Sequence, residues 1–140
     1  HTGETNQGTA ALDEKELGHR ELQELVVVDN MHDRKAIMAQ RADAFVALPG
    51  GFGTLEELFE IVAWNQLGFH DKPIALLNTG GYFNHLLSFL DHALNEGFLR
   101  PEHREILLVA TEAESLLDDL LVHLAGTSSS NDPSPDPNSD

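Results

Sequence analysis

Cysteine is absent from this chain, which removes disulfides, thiolate nucleophiles and cysteine-ligated zinc together. That usage fits a cytoplasmic protein. Long apolar runs are also missing: none approaches the ~20 residues that cross a bilayer, and no cationic start leads into an apolar leader. Positive charge is scarce. Lys and Arg number 8 against 24 Asp and Glu, for a formal charge of -16, which repels nucleic acids and anionic membranes at long range. Neither is an expected partner. Eight histidines are present, but none has an H-E-x-x-H or comparable ligand spacing, and no G-x-S-x-G elbow occurs. No metal is expected, and no cofactor.

A length of 140 residues and 41% hydrophobic content fit one small domain. Residues 1–11 are polar and aperiodic, which predicts a mobile segment. From Gly126 to Asp140 the chain is built of small and polar residues that cannot bury enough surface to order themselves, so 126–140 reads as a disordered tail. Between them, residues 12–125 alternate two kinds of apolar pattern. Leu25 to Val28, Ala44 to Leu48, Ile74 to Leu77 and Ile106 to Val109 are short runs of the kind buried in parallel sheets. Helical spacing follows each: Asn30 to about Ala42 with Asn30 as N-cap, Leu55 to about Leu67, Phe83 to Leu94 with Gly97 ending it, and Leu116 to Leu124. The fold class is therefore α/β, a Rossmann-like parallel sheet with helices on both faces.

The second run leads into Pro49-Gly50-Gly51-Phe52-Gly53-Thr54-Leu55-Glu56-Glu57. Glycines at 50, 51 and 53 leave no side chain between the backbone amides and a docking group. The first amides of the following helix lack intrahelical partners and sit at its positive end, so a phosphate fits over Gly51 to Thr54. A plain structural reading stands beside this one, because Thr54-x-x-Glu57 also matches a capping box that would merely start the helix. The spacing is neither that of a Walker loop nor that of the dinucleotide fingerprint. Upstream, Arg34 and Lys35 crowd the expected start of a helix, where cations oppose the dipole; that placement suggests an anion before them. His32, beside them, reads as a structural helix-start residue. Trp64 and Tyr82 are the candidates for stacking on a base, with core packing the alternative for the tryptophan.

Met31-His32-Asp33-Arg34-Lys35 together with Pro49-Gly50-Gly51-x-Gly53-Thr54-x-x-Glu57 resembles the paired signature of the Lonely Guy family. These are cytokinin riboside 5'-monophosphate phosphoribohydrolases, many once labelled possible lysine decarboxylases. The resemblance continues through Trp64-Asn65-Gln66-Leu67-Gly68, Lys72-Pro73-Ile74 and Glu96-Gly97-Phe98-Leu99. It implies hydrolysis of the N-glycosidic bond of a nucleoside 5'-monophosphate to free base and ribose 5-phosphate. It also implies Arg34 and Glu57 as catalytic residues and Gly50, Gly51, Gly53 and Thr54 as the phosphate cradle. Lys35 and Met31 become substrate-binding residues, and a homodimer is the expected assembly. Family members carry a further Rossmann half that nothing here matches, so the sheet is expected to lack its first strands. Two other readings use the same residues: a nucleotide-binding module without turnover, or a truncated, inactive family member. Lysine decarboxylation itself is disfavoured, because Lys15, Lys35 and Lys72 are the only lysines and none sits in a recognisable pyridoxal phosphate site.

Overall fold

A computed structural model describes residues 22–130, with side chains described as far as residue 126. Four strands, β1 (Leu25–Val27), β2 (Ala44–Ala47), β3 (Ile74–Leu77) and β4 (Leu107–Ala110), form one sheet in the order β1-β2-β3-β4. All three pairings are parallel. Parallel neighbours need crossovers, and these are supplied by α1 (Lys35–Arg41), α2 (Phe52–Gln66) and α3 (Asn84–Asn95) with the single turn α4 (Pro101–Arg104). A last helix, α5 (Ala113–Ser130), follows β4. No described helix is long and apolar enough to cross a membrane.

Side chains alternate across the strands, so each short run feeds two cores. Phe45 and Ala47 share one face with Ile74, Leu76 and Leu107, against Leu58 and Ile61 of α2 and Leu86, Leu87 and Leu90 of α3. Ala44, Val46 and Ala75 turn the other way, onto Leu22 and Leu116, Leu117 and Leu120 of α5. The helices on both faces expected from the sequence are therefore present. Gly97 ends α3 as expected: its φ is +89°, and Phe98 N–H reaches the Ala93 carbonyl at 2.9 Å.

Polar groups fix the edges of these layers. The Asp43 carboxylate accepts the backbone N–H groups of Gln23 and Glu24 at 2.7 and 2.9 Å, tying the approach of β1 to the approach of β2. Lys72 donates to the carbonyls of Ala39 and Gln40, both at 2.7 Å. Those carbonyls close α1, at the end of a helix that favours a cation.

Three expectations are corrected. Asn30 does not cap a helix running to Ala42; Val28–Met31 is a 3₁₀ turn and α1 starts only at Lys35. Burial is the reason, since the tight turn places Val28 and Met31 in the core at 0% exposure. Helix α2 begins at Phe52 rather than Leu55, taking Gly53 and Thr54 into its first turn. Helix α5 continues to Ser130, into the stretch expected to be tail. The segments 1–11 and 131–140 lie outside the described residues.

The His70 ring is held by two backbone groups of opposite demand. Lys72 N–H donates to Nδ1 at 3.0 Å, and Nε2 lies 3.0 Å from the Ile61 carbonyl. This pattern suits the neutral ring with its proton on Nε2. Burial is the main cause holding the His70 pKa below the ordinary 6.5; the Ile61 carbonyl opposes the shift and Lys72 adds to it. The unfolded chain therefore takes up this proton at a higher pH than the fold does. The contribution is complete above pH 6.5 and is lost as pH falls from 6.5 through the lower folded value. Denaturant titrations from pH 8 to about 5 are expected to show stability declining over that interval, with the decline flattened in His70→Gln.

Candidate active site

In an open parallel sheet, ligands bind outside the carboxyl ends of the strands. Here those ends deliver Asp29 after β1, Pro49 to Gly51 after β2 and Asn78 after β3. Gly51 is the N-cap of α2, with φ −108° and ψ −145° and no side-chain cap. The first helical bond runs from Leu55 N–H to the Gly51 carbonyl at 3.1 Å. The amides of Phe52, Gly53 and Thr54 precede it and have no carbonyl of their own helix to bond. A Cβ built at Gly51 or Gly53 meets nothing within 4 Å, so the space over these amides is open.

The capping box is not formed. Thr54 is third in the helix, and its hydroxyl donates to Asp29 Oδ1 at 2.7 Å instead. That bond locks the first turn of α2 to the end of β1. A second brace comes from β3, where the Tyr82 hydroxyl donates to the Gly50 carbonyl. The turn carrying Tyr82 is itself held by Asn78, whose side chain accepts Phe83 N–H at 2.6 Å and donates to Asn84 Oδ1 at 2.9 Å. The glycine turn is thus fixed from both neighbouring strands.

Glu57, one turn further along α2, is 3% exposed. Its Oε1 has no hydrogen-bond partner among the described residues, although the Lys35 ammonium stands 3.4 Å away, within ion-pair reach. Its Oε2 lies 3.6 Å from Nδ1 of His32. Lys35 is anchored more tightly by Glu60, at 2.6 Å. The hydrogen bond to Glu60 raises the Lys35 pKa above its ordinary value; burial opposes the shift, and Glu57 adds to it. The anion before Lys35 is thus a pair of the protein's own carboxylates.

The remaining expected residues divide. Arg34 is exposed beside this cluster and makes no ion pair among the described residues, which leaves its guanidinium available to a ligand. Met31 is in the core at 0% exposure. Its side chain packs in the cluster that includes Val28, Phe45 and Leu58. Trp64 packs against the core and lines a cleft of about 630 Å³ with Ala39, Phe69, His70 and Lys72. That cleft adjoins the start of β3, the opposite end of the sheet from the glycine turn, so Trp64 is remote from the site. Sequence reasoning passed over Glu60, Asp29 as partner of Thr54, and Phe52, which is 92% exposed at the head of α2. The spacing of Glu57 and Glu60, three apart on one helix, was the signal available for the first.

Residues 1–120 match the family model described as possible lysine decarboxylase. The chain belongs to this family. It is 53% identical over 106 residues to a probable cytokinin riboside 5'-monophosphate phosphoribohydrolase of Oryza sativa subsp. japonica, covering 76% of this chain and 43% of the relative. Two cytokinin riboside 5'-monophosphate phosphoribohydrolases of Arabidopsis thaliana are 50% identical over 109 residues (78% of this chain, 48% of the relative) and 54% identical over 106 residues (76% and 49%). The chain spans about half the length of these curated relatives.

The glycines of the turn differ in what they tolerate. A Cβ at Gly50 falls 2.1 Å from Thr54 Oγ1, the atom committed to Asp29. Gly50→Ala is expected to cost about 1–3 kcal/mol, as overpacking does, in a denaturant titration. Gly53→Ala places its Cβ in open space inside a helical turn. It is expected to stabilise by roughly 0.4–1 kcal/mol while weakening binding of any anion that docks over that amide.

Proposed function

We propose that this member of the possible lysine decarboxylase family hydrolyses the N-glycosidic bond of an adenosine-type nucleoside 5'-monophosphate, releasing the base and ribose 5-phosphate. The observation that carries the reading is the juxtaposition of the open amides at the head of α2 with the buried Glu57 one turn on. The printed names of the relatives agree with it. The 5'-phosphate docks over Gly51, Gly53 and Thr54, where backbone dipoles supply the positive end that the overall charge does not. Gly50 keeps the turn tight enough to present them.

Glycosidic cleavage builds positive charge on the sugar, in an oxocarbenium-like state. The Glu57 carboxylate, fixed in a site of low water content, opposes that charge better than the same group in solvent. Lys35, shared between Glu60 and Glu57, sets the position of that carboxylate. In this reading it acts on the substrate through Glu57. Arg34, exposed and unpaired among the described residues, reaches for the phosphate or ribose oxygens, where a planar guanidinium holds two acceptors at once. The same reading takes the protein to be cytoplasmic and to act as a homodimer.

Two measurements test it. AMP is expected to bind more tightly than adenosine, and replacing Gly51 by a bulky residue should remove that difference while sparing adenosine. Glu57→Gln keeps the shape and loses the charge. It is expected to lower base release at least about a hundredfold, the scale of removing one preorganised electrostatic group, with AMP affinity largely kept. Arg34→Ala should damage both affinity and rate. Unchanged turnover in Glu57→Gln would leave that carboxylate a structural role only.

A further inference from the structure

We propose that His32 is a further catalytic residue: its imidazole gives a proton to the departing base and takes one back from the attacking water. This rests on the hydrolase reading above and assigns a task that reading leaves open. Cleavage of an adenine-type base as an anion is slow, so some group must protonate it as the bond breaks. Neither Glu57 nor Lys35 is placed to do so. Glu57 is 4% exposed at its side chain, and the Lys35 ammonium is spent between two carboxylates.

The geometry singles out the imidazole. Nδ1 of His32 stands 3.6 Å from Glu57 Oε2, and the His32 side chain is 62% exposed against 4% for its partner. Of the two groups, the imidazole is the one open to solvent and so to a ligand. The other oxygen of Glu57 is already turned to Lys35, at 3.4 Å. The carboxylate thus lies within ion-pair reach of one ring nitrogen, and the rest of the ring is exposed. A carboxylate at that distance favours one orientation of the ring. The charges around it are Glu57 and Glu60 from α2 and Lys35 from α1, with Asp33 and Arg34 adjacent in the turn.

The step balances without any added group. The C1'–N bond of the nucleotide breaks and its electron pair leaves with the base, which receives the proton of the protonated imidazole. Water forms the new bond to C1', and the proton it loses goes to the imidazole, now neutral. His32 ends as it began. Glu57 forms no bond, and its charge offsets first the imidazolium and then the sugar cation.

The test compares two substrates on the full chain carrying His32→Gln. AMP needs its base protonated; 7-methyladenosine 5'-monophosphate does not, because its base already carries the positive charge and leaves neutral. For AMP, kcat is expected to fall about a hundredfold or more, within the usual range for general acid catalysis, with KM little changed. For the methylated nucleotide, kcat is expected to change by less than about tenfold, well short of that range, because bond breaking limits the rate and the proton of the water that adds afterwards can pass to solvent. Retained turnover of the methylated substrate also shows that the variant is folded. Equal losses on both substrates in a variant with wild-type melting and AMP affinity would overturn the proposal, as would unchanged turnover of AMP. A wild-type chain that hydrolyses neither nucleotide would overturn the hydrolase reading and this proposal with it. If Glu57→Gln silences both substrates while His32→Gln spares both, the hydrolase reading stands and the role of His32 alone falls.

Discussion

A carboxylate buried at the head of a crossover helix constrains most of what surrounds it. Taking an ionised group out of water costs on the order of several kcal/mol, and the cost is recovered only when opposite charge and hydrogen bonds are well placed. Glu57, at 3% exposure, has Lys35 at 3.4 Å and His32 at 3.6 Å, and one of its oxygens lacks a hydrogen bond among the described residues. Such a group is a weak contributor to stability. On the reading proposed above, it is an acceptor kept short of partners, with capacity left for the cation that develops during the reaction. Lys35 cannot swing away to a ligand, because Glu60 holds it at 2.6 Å. The fold itself thus sets the position of the groups around Glu57.

The same logic explains how the glycine turn is built. A turn that must present bare amides cannot carry large side chains, and a turn without side chains cannot pack itself. Its rigidity has to be supplied from outside. Asp29, at the end of β1, takes the Thr54 hydroxyl, and Tyr82, beyond β3, holds the Gly50 carbonyl. Both braces depend on the parallel order of the sheet, which brings the ends of β1 and β3 to either side of β2. The register is fixed in turn by alternation: a slip of one residue along β2 would exchange Phe45 and Ala47 with Ala44 and Val46 between two unlike cores. Packing inside the sheet and the geometry of the glycine turn outside it are therefore one constraint.

The strands were legible because runs such as Ala44 to Leu48 are short, apolar and bounded by turn residues. All four were located, with ends shifted by a residue or so. The helix ends were less legible. Asn30 and Thr54 both have the chemistry of an N-cap, but tertiary demand decides where helices start. Val28 and Met31 are drawn into the core by the 3₁₀ turn, and Thr54 is claimed by Asp29 from another strand. Propensity is local; these partners are 25 residues apart. The site divides the same way. Gly50 to Gly53 and Glu57 follow the carboxyl end of β2 along one turn and helix, while Lys35 is held by Glu60, 25 residues away, a pairing that the Glu57–Glu60 spacing alone does not reveal. Met31, one residue from His32, faces the core for reasons of packing alone.

The overall charge of -16 sets the last constraint, because the ligand proposed for this site is itself an anion. At physiological ionic strength charges are screened over about 8 Å, so most of the acidic surface acts on an approaching nucleotide only weakly. Within that distance the balance is local. The amides of Phe52, Gly53 and Thr54 have no helical partner and the Arg34 side chain is exposed, while Glu57 and Glu60 are turned toward Lys35. Asp29 is the exception, a carboxylate beside the cradle, and its Oδ1 is occupied by the Thr54 hydroxyl at 2.7 Å. Asp29, Glu57 and Glu60 are thus each set against a protein group. A polynucleotide has no such local exemption, since its phosphates would lie along the wider acidic surface. A single phosphate at the glycine turn is all that the proposed function asks of this surface.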